Sequence, residues 1–369
     1  MMDRKPTPVP DPSPLARPTF RVLIVDDSAV VREVLTHMLE SDPDIHVVGT
    51  AGDGAEAVTL TAKLRPDLIT MDLQMPRMDG MEATARIMAY RPTPILILTS
   101  YVDREGTYST LDALAAGALD VLEKPTIVPG AQWQAMTGTL VDKVKLLARV
   151  RVITHVQGKT RQRWRDRSAS TNAGQNVEVI GIGVSTGGPR VLQQILPALP
   201  GDFSLSVLVV QHITEGFMPG LVQWLRPLCQ ITVKVAEEGE AIVPGRVFFA
   251  PDSSHLVVAS DGTLHLSGAD PVNGHRPSAD VTLKSLAAAY GDRAAGVLLT
   301  GMGSDGAAGL GAIRAAGGLT VAQNEESCVV FGMPRAAIEL GAAQHVLSLP
   351  DLTESLIALH RRRLRARAE

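Results

Sequence analysis

Short apolar runs alternate with longer stretches whose apolar positions recur at helical spacing, and this rhythm occurs twice along the chain. In the front part the runs are Val22-Val25, Ile45-Val48, Leu68-Met71, Ile95-Leu98 and Leu119-Leu122. Continuous apolar runs separated by amphipathic segments predict buried parallel strands joined by right-handed helical crossovers. The rear part begins at Val177, with runs at Val179-Ile182, Val207-Val210, Val247-Phe249, Leu256-Val258, Gly296-Leu299 and Leu319-Ala322. Between Ile231 and Leu266 strand and turn residues dominate, which predicts a hairpin on a largely parallel sheet. The fold class is therefore α/β, with two doubly wound domains.

Length supports the division, because 369 residues exceed what one core usually organises. The expected layout is a disordered proline-rich tail (1–19), a front domain (20–142), a basic polar linker (143–176), a rear domain (177–360) and a basic tail (361–369). Pro6, Pro8, Pro10, Pro12, Pro14 and Pro18 give the first segment its extended character and leave no signal-peptide core. From Lys143 to Arg167 nine Lys and Arg face the single acid Asp166, a pattern of a solvated linker. A formal charge of −4 gives no general pull toward nucleic acid or anionic membrane. Cys229 and Cys328 are too few for a disulfide framework, and no run approaches the roughly 18 to 20 apolar residues of a spanning helix. A cytoplasmic monomer without membrane insertion is expected.

In a parallel sheet the carboxyl ends of the strands open onto one ligand crevice. Asp26, Asp27, Asp72, Thr99 and Lys124 all fall at such ends in the front domain. Three carboxylates gathered there repel one another, so they call for a hard divalent cation such as Mg2+, held by oxygen ligands. Beside that metal Asp72 can accept a phosphoryl group, with Lys124 supplying a cation and Thr99 a hydroxyl. These residues, with Met71-Asp72-Leu73-Gln74-Met75-Pro76 and Lys124-Pro125, resemble a response-regulator receiver domain. The resemblance implies a flavodoxin-like fold, phosphorylation of Asp72 by a histidine kinase, and sensing of the phosphate by Thr99 and Lys124. Val121 departs from it, standing where many receivers carry an aromatic switch.

In the rear domain Gly181-Ile182-Gly183-Val184-Ser185-Thr186-Gly187-Gly188 follows a strand and opens a helix. The spacing fails as a dinucleotide fingerprint, since Thr186 stands where its third glycine belongs. As a nucleophile elbow it lifts Ser185 from the sheet edge into the field of a helix N-terminus. His212 ends the next apolar strand, and Asp305 follows a later one through Gly301-Met302-Gly303-Ser304. Three strand ends thus bring Ser, His and Asp to one crevice, with amides near Thr186 or Met302 as oxyanion donors and His275 and Arg276 on the substrate side.

With His275-Arg276-Pro277-Ser278 and Ala322-Gln323-Asn324-Glu325-Glu326-Ser327, these segments resemble the catalytic domain of chemotaxis response-regulator protein-glutamate methylesterases. That implies hydrolysis of glutamate γ-methyl esters on chemoreceptors, release of methanol, deamidation of receptor glutamines, and a catalytic domain that needs no cofactor. It also implies inhibition by the unphosphorylated receiver. The competing readings are a nucleic-acid-binding output domain, which lacks a basic recognition helix, and a non-catalytic receptor-binding module.

Overall fold

Leu68, Ile69, Thr70 and Met71 are all buried, as a strand covered by helices on both faces must be. This strand, β3, is the centre of the front sheet in a computed structural model that describes residues 19–100, 104–125, 130–150, 152 and 176–368. The proline-rich tail up to Pro18 and linker positions 153–175 lie outside the described residues. In chain order the front domain runs β1 (Phe20–Val25), α1 (Ala29–Glu40), β2 (Ile45–Ala51), α2 (Gly54–Leu64), β3 (Leu68–Met71), α3 (Gly80–Tyr90), β4 (Ile95–Thr99), α4 (Arg104–Ala116), β5 (Asp120–Glu123) and α5 (Ala131–Leu147). Its ladders are parallel, in the order β2-β1-β3-β4-β5. The order reverses between β1 and β3, and such a switch point opens a crevice. Ser28, Asp53 and Asp79 cap α1, α2 and α3. Capping is thus done by other residues, and Asp26, Asp27 and Asp72 remain at the crevice.

The rear domain runs β6 (Val179–Val184), α6 (Gly188–Ile195), β7 (Ser206–Gln211), α7 (Met218–Leu225), β8 (Thr232–Val235), β9 (Arg246–Phe249), β10 (His255–Val258), β11 (Leu264–Ser267), α8 (Ala279–Tyr290), β12 (Ala294–Leu298), α9 (Ala307–Ala315), β13 (Leu319–Gln323), α10 (Met333–Glu339), β14 (His345–Leu347) and α11 (Leu349–Ala368). Seven parallel strands follow the order β14-β13-β12-β6-β7-β9-β8. Here the switch lies between β6 and β12, so Ser185 and Asp305 emerge on either side of it. The hairpin β10-β11 is present, but as a sheet of its own that packs on α8. Strand β14 was not anticipated, because His345-Val346-Leu347 is too short to announce itself. Helix α11 runs through the boundary expected at 360, and Arg363 donates to the Val177 carbonyl at 2.9 Å and to Glu178 at 3.2 Å.

The two domains share packing. Helix α4 lies against α6 and α7, where Trp224 Nε1 donates to Asp112 Oδ1 at 3.1 Å. Val330 of the rear domain belongs to the same apolar cluster as Leu140, Val141 and Val144 of α5.

Candidate active site and phosphorylation site

In the front domain the carboxylate oxygens of Asp26, Asp27 and Asp72 lie within 4.8 Å of one another. Adjacency follows from the ladder, since the Asp72 amide donates to the Val25 carbonyl at 2.9 Å. Lys124 Nζ reaches Asp26 Oδ2 at 2.7 Å and Asp72 Oδ2 at 2.9 Å. Burial pushes the Asp72 carboxyl above its ordinary range, against the pull of Lys124. Burial also opposes the charge on Lys124, but the two carboxylates outweigh it and raise that group. Thr99 is buried at the end of β4, and its carbonyl receives the Lys124 amide at 2.8 Å. An oxygen-only donor set with one lysine counterion fits Mg2+, which prefers carboxylates and retained water. Val121 is buried in the core, so an aromatic rotamer switch has no counterpart at this position.

In the rear domain Ser185 follows β6, and its amide donates to the Thr300 carbonyl at 3.0 Å. The hydroxyl does not cap α6; Gly187 occupies the cap in the left-handed region, where a Cβ would meet Val329. Gly301 passes so close that a Cβ there would lie 2.7 Å from Ser185 Cβ. His212 directly follows β7, and its Nε2 shares a hydrogen bond of 2.9 Å with Asp305 Oδ2. His212 Nδ1 is buried and takes no hydrogen bond. With the Nε2 proton directed at the carboxylate, Nδ1 keeps the lone pair and is the free base.

Asp305 is held from four directions. Besides His212 it accepts from Ser278 Oγ at 2.6 Å, the Ala279 amide at 2.7 Å and the Asp280 amide at 3.2 Å, so it sits on the N-terminus of α8. Burial alone would raise this carboxyl, but the donors win and bring it down to about 2. His275 lies flat on His212, with ring centroids 3.9 Å apart and planes 3° apart. Burial, with a smaller contribution from nearby Lys143, lowers the His275 imidazole below its ordinary range. Arg276 turns away and donates to the carbonyls of Gly268 and Ala269. Met302 is an exposed side chain beside the site, and Thr186 is buried.

Sequence reasoning missed the residues that brace these groups. Gln211 Nε2 donates to the carbonyls of both Ser185 and His212, at 2.9 and 2.7 Å. The Thr300 hydroxyl donates to the Thr186 carbonyl at 3.0 Å, and Gln323 accepts the Thr300 amide at 2.8 Å. His255 Nδ1 accepts the Ser278 amide at 3.1 Å and so fixes the residue that donates to Asp305. Their positions at strand ends were visible, but which backbone groups needed partners was not.

Comparison with known proteins follows the same division. Residues 22–129 match the response regulator receiver domain and residues 180–356 match the CheB methylesterase domain. A protein-glutamate methylesterase/protein-glutamine glutaminase of Myxococcus xanthus is 44% identical over 356 residues, covering 93% of this chain and 97% of the relative. Another, from Syntrophus aciditrophicus, is 45% identical over 344 residues, covering 92% and 98%. The crystal structure of the Thermotoga maritima CheB methylesterase catalytic domain shares 42% identity, covers 50% of this chain and 98% of that one, and gives a TM-score of 0.48.

Proposed function

The chain belongs to the family of receiver-linked protein-glutamate methylesterase/protein-glutamine glutaminases, and from that premise we propose that it hydrolyses glutamate γ-methyl esters on chemoreceptors, using Ser185 as nucleophile, His212 as base and Asp305 as orienter. The observation that carries the assignment is the polarised imidazole. Its Nε2 is committed to Asp305 and its Nδ1 is buried without a hydrogen-bond partner, while the His212 amide donates to the carbonyl of Val184, the residue before Ser185. Ser185 Oγ attacks the γ-carbonyl carbon while Nδ1 takes its proton. Nδ1 then returns that proton to the departing methoxide, which leaves as methanol. Water, deprotonated in turn by Nδ1, attacks the acyl-serine, and collapse frees the glutamate carboxylate and restores Ser185. A γ-amide follows the same route with ammonia leaving. Backbone amides at Thr186 and Met302 are the oxyanion donors in this reading.

Control comes from the receiver. Asp72 accepts a phosphoryl group from a chemotaxis histidine kinase; Asp26, Asp27 and Asp72 would hold Mg2+, which would supply positive charge to offset that of the incoming phosphate. Lys124 and Thr99 then contact the phosphate. The described residues contain no helix long and apolar enough to cross a membrane. Replacing Ser185→Ala should reduce methanol release from methylated receptor by several orders of magnitude while Asp72 still takes up phosphate; persistent esterase activity would remove Ser185 from its role. Chelating Mg2+ should abolish the gain in methanol release that a small phosphodonor produces. If the gain survives chelation, the carboxylate cluster is not the metal site.

A further inference from the structure

Asp120, the first residue of β5, brings a receiver carboxylate into the rear domain's crevice. Thr186, the residue after Ser185, donates its hydroxyl to Asp120 Oδ2 at 2.8 Å. Lys143 Nζ of α5 pairs with the same oxygen at 2.7 Å, and the Val121 amide donates to Oδ1 at 2.8 Å. A charge-balanced carboxylate on a strand therefore sits on the hydroxyl beside the nucleophile.

Hydrolysis of a γ-methyl ester ends with a carboxylate at the nucleophile. We propose that Asp120 is a built-in product mimic, occupying the subsite, marked by the Thr186 hydroxyl, that takes the γ-carboxyl group of the substrate glutamate. This rests on the methylesterase reading. Inhibition is then competition at the reacting group as well as coverage by a neighbouring domain. A hydroxyl donates more strongly to a carboxylate than to a neutral ester carbonyl, so the internal carboxylate prevails over substrate while the receiver stays docked. Thr186 has a second task once the receiver leaves, as the donor that selects a γ-carbonyl oxygen. Lys143 removes the cost of an unpaired carboxylate in the docked state.

Two sets of variants of the full chain test this, with a peptide carrying a glutamate γ-methyl ester as substrate and the same peptide with free glutamate as product. In the phosphorylated chain, Thr186→Val should raise KM and weaken calorimetric binding of the product peptide, each about tenfold, as expected for loss of a hydrogen bond to a charged group. Thr186→Ser should restore both. In the unphosphorylated chain, Asp120→Ala should lower the apparent KM about tenfold with kcat unchanged, and Lys143→Met should shift it in the same direction. Uptake of phosphate at Asp72 checks that the receiver of each variant is folded. Wild-type KM and product binding in Thr186→Val would overturn the proposal, leaving Asp120 as a brace between domains. Product binding is read without turnover, so this failure differs from that of the methylesterase reading, in which phosphorylated wild type releases no methanol.

Discussion

Asp305 keeps its charge where burial alone would remove it, because Ser278, Ala279, Asp280 and His212 all donate to it. Its folded pKa of about 2 lies below the ordinary 3.8, so the group stabilises the fold above about pH 4. That contribution, roughly 2 kcal/mol, is lost as pH falls from about 4 toward 2. Asp305→Asn should therefore be less stable than wild type in urea at neutral pH, with the gap closing below pH 4; a gap independent of pH would contradict the depressed value. Ser278→Ala removes one donor and should raise the Asp305 carboxyl and shift the acid limb of the rate profile upward, with kcat down on the order of tenfold. An unaltered pH profile would make Ser278 a structural residue only.

At the scale of elements, the two sites are built alike: strands of a parallel sheet end at a switch point, and a helix N-terminus faces the crevice. Asp120 of β5, Lys124 directly after it and Lys143 of α5 lie on one stretch of chain that touches both the phosphate site and the Thr186 hydroxyl. Lys124, Pro125, Met136, Leu140 and Thr214 line a cavity of about 470 Å³ where this stretch meets the rear domain. Helix α4 makes the other attachment through Asp112 and Trp224. Asp112→Ala should raise unphosphorylated methanol release a few-fold, in keeping with roughly 1 kcal/mol for a typical hydrogen bond. Phosphate uptake at Asp72 should stay unchanged; a rate equal to wild type would show that this contact does not hold the domains together.

For the whole molecule, apolar clusters cross the domain boundary, with Val330 packed among α5 residues and α4 against α6 and α7. Such an interface opposes undocking, and in the proposed reading phosphate at Asp72 would act against it by adding about two negative charges beside Lys124. A fragment beginning near Val177 should release methanol without phosphodonor, at a rate at least equal to the phosphorylated chain. A fragment that stays silent would mean that the receiver contributes to the site as well as covering it.

The sequence by itself determined which residues stand at or just after the strand ends: Asp26, Asp27, Asp72 and Lys124 in one crevice, Ser185, His212 and Asp305 in the other. Apolar runs mark strands, and strand order makes their carboxyl ends meet, so this part is legible from local pattern. Only the tertiary structure decided that His212 presents Nδ1, that His275 stacks on it, that Ser278 holds Asp305, and that Asp120 reaches Thr186. Those contacts join residues far apart in the chain, from 27 positions for Ser278 and Asp305 to 93 for His212 and Asp305. No period or spacing encodes them, because they depend on how packed layers orient side chains and on which buried polar groups lack a partner.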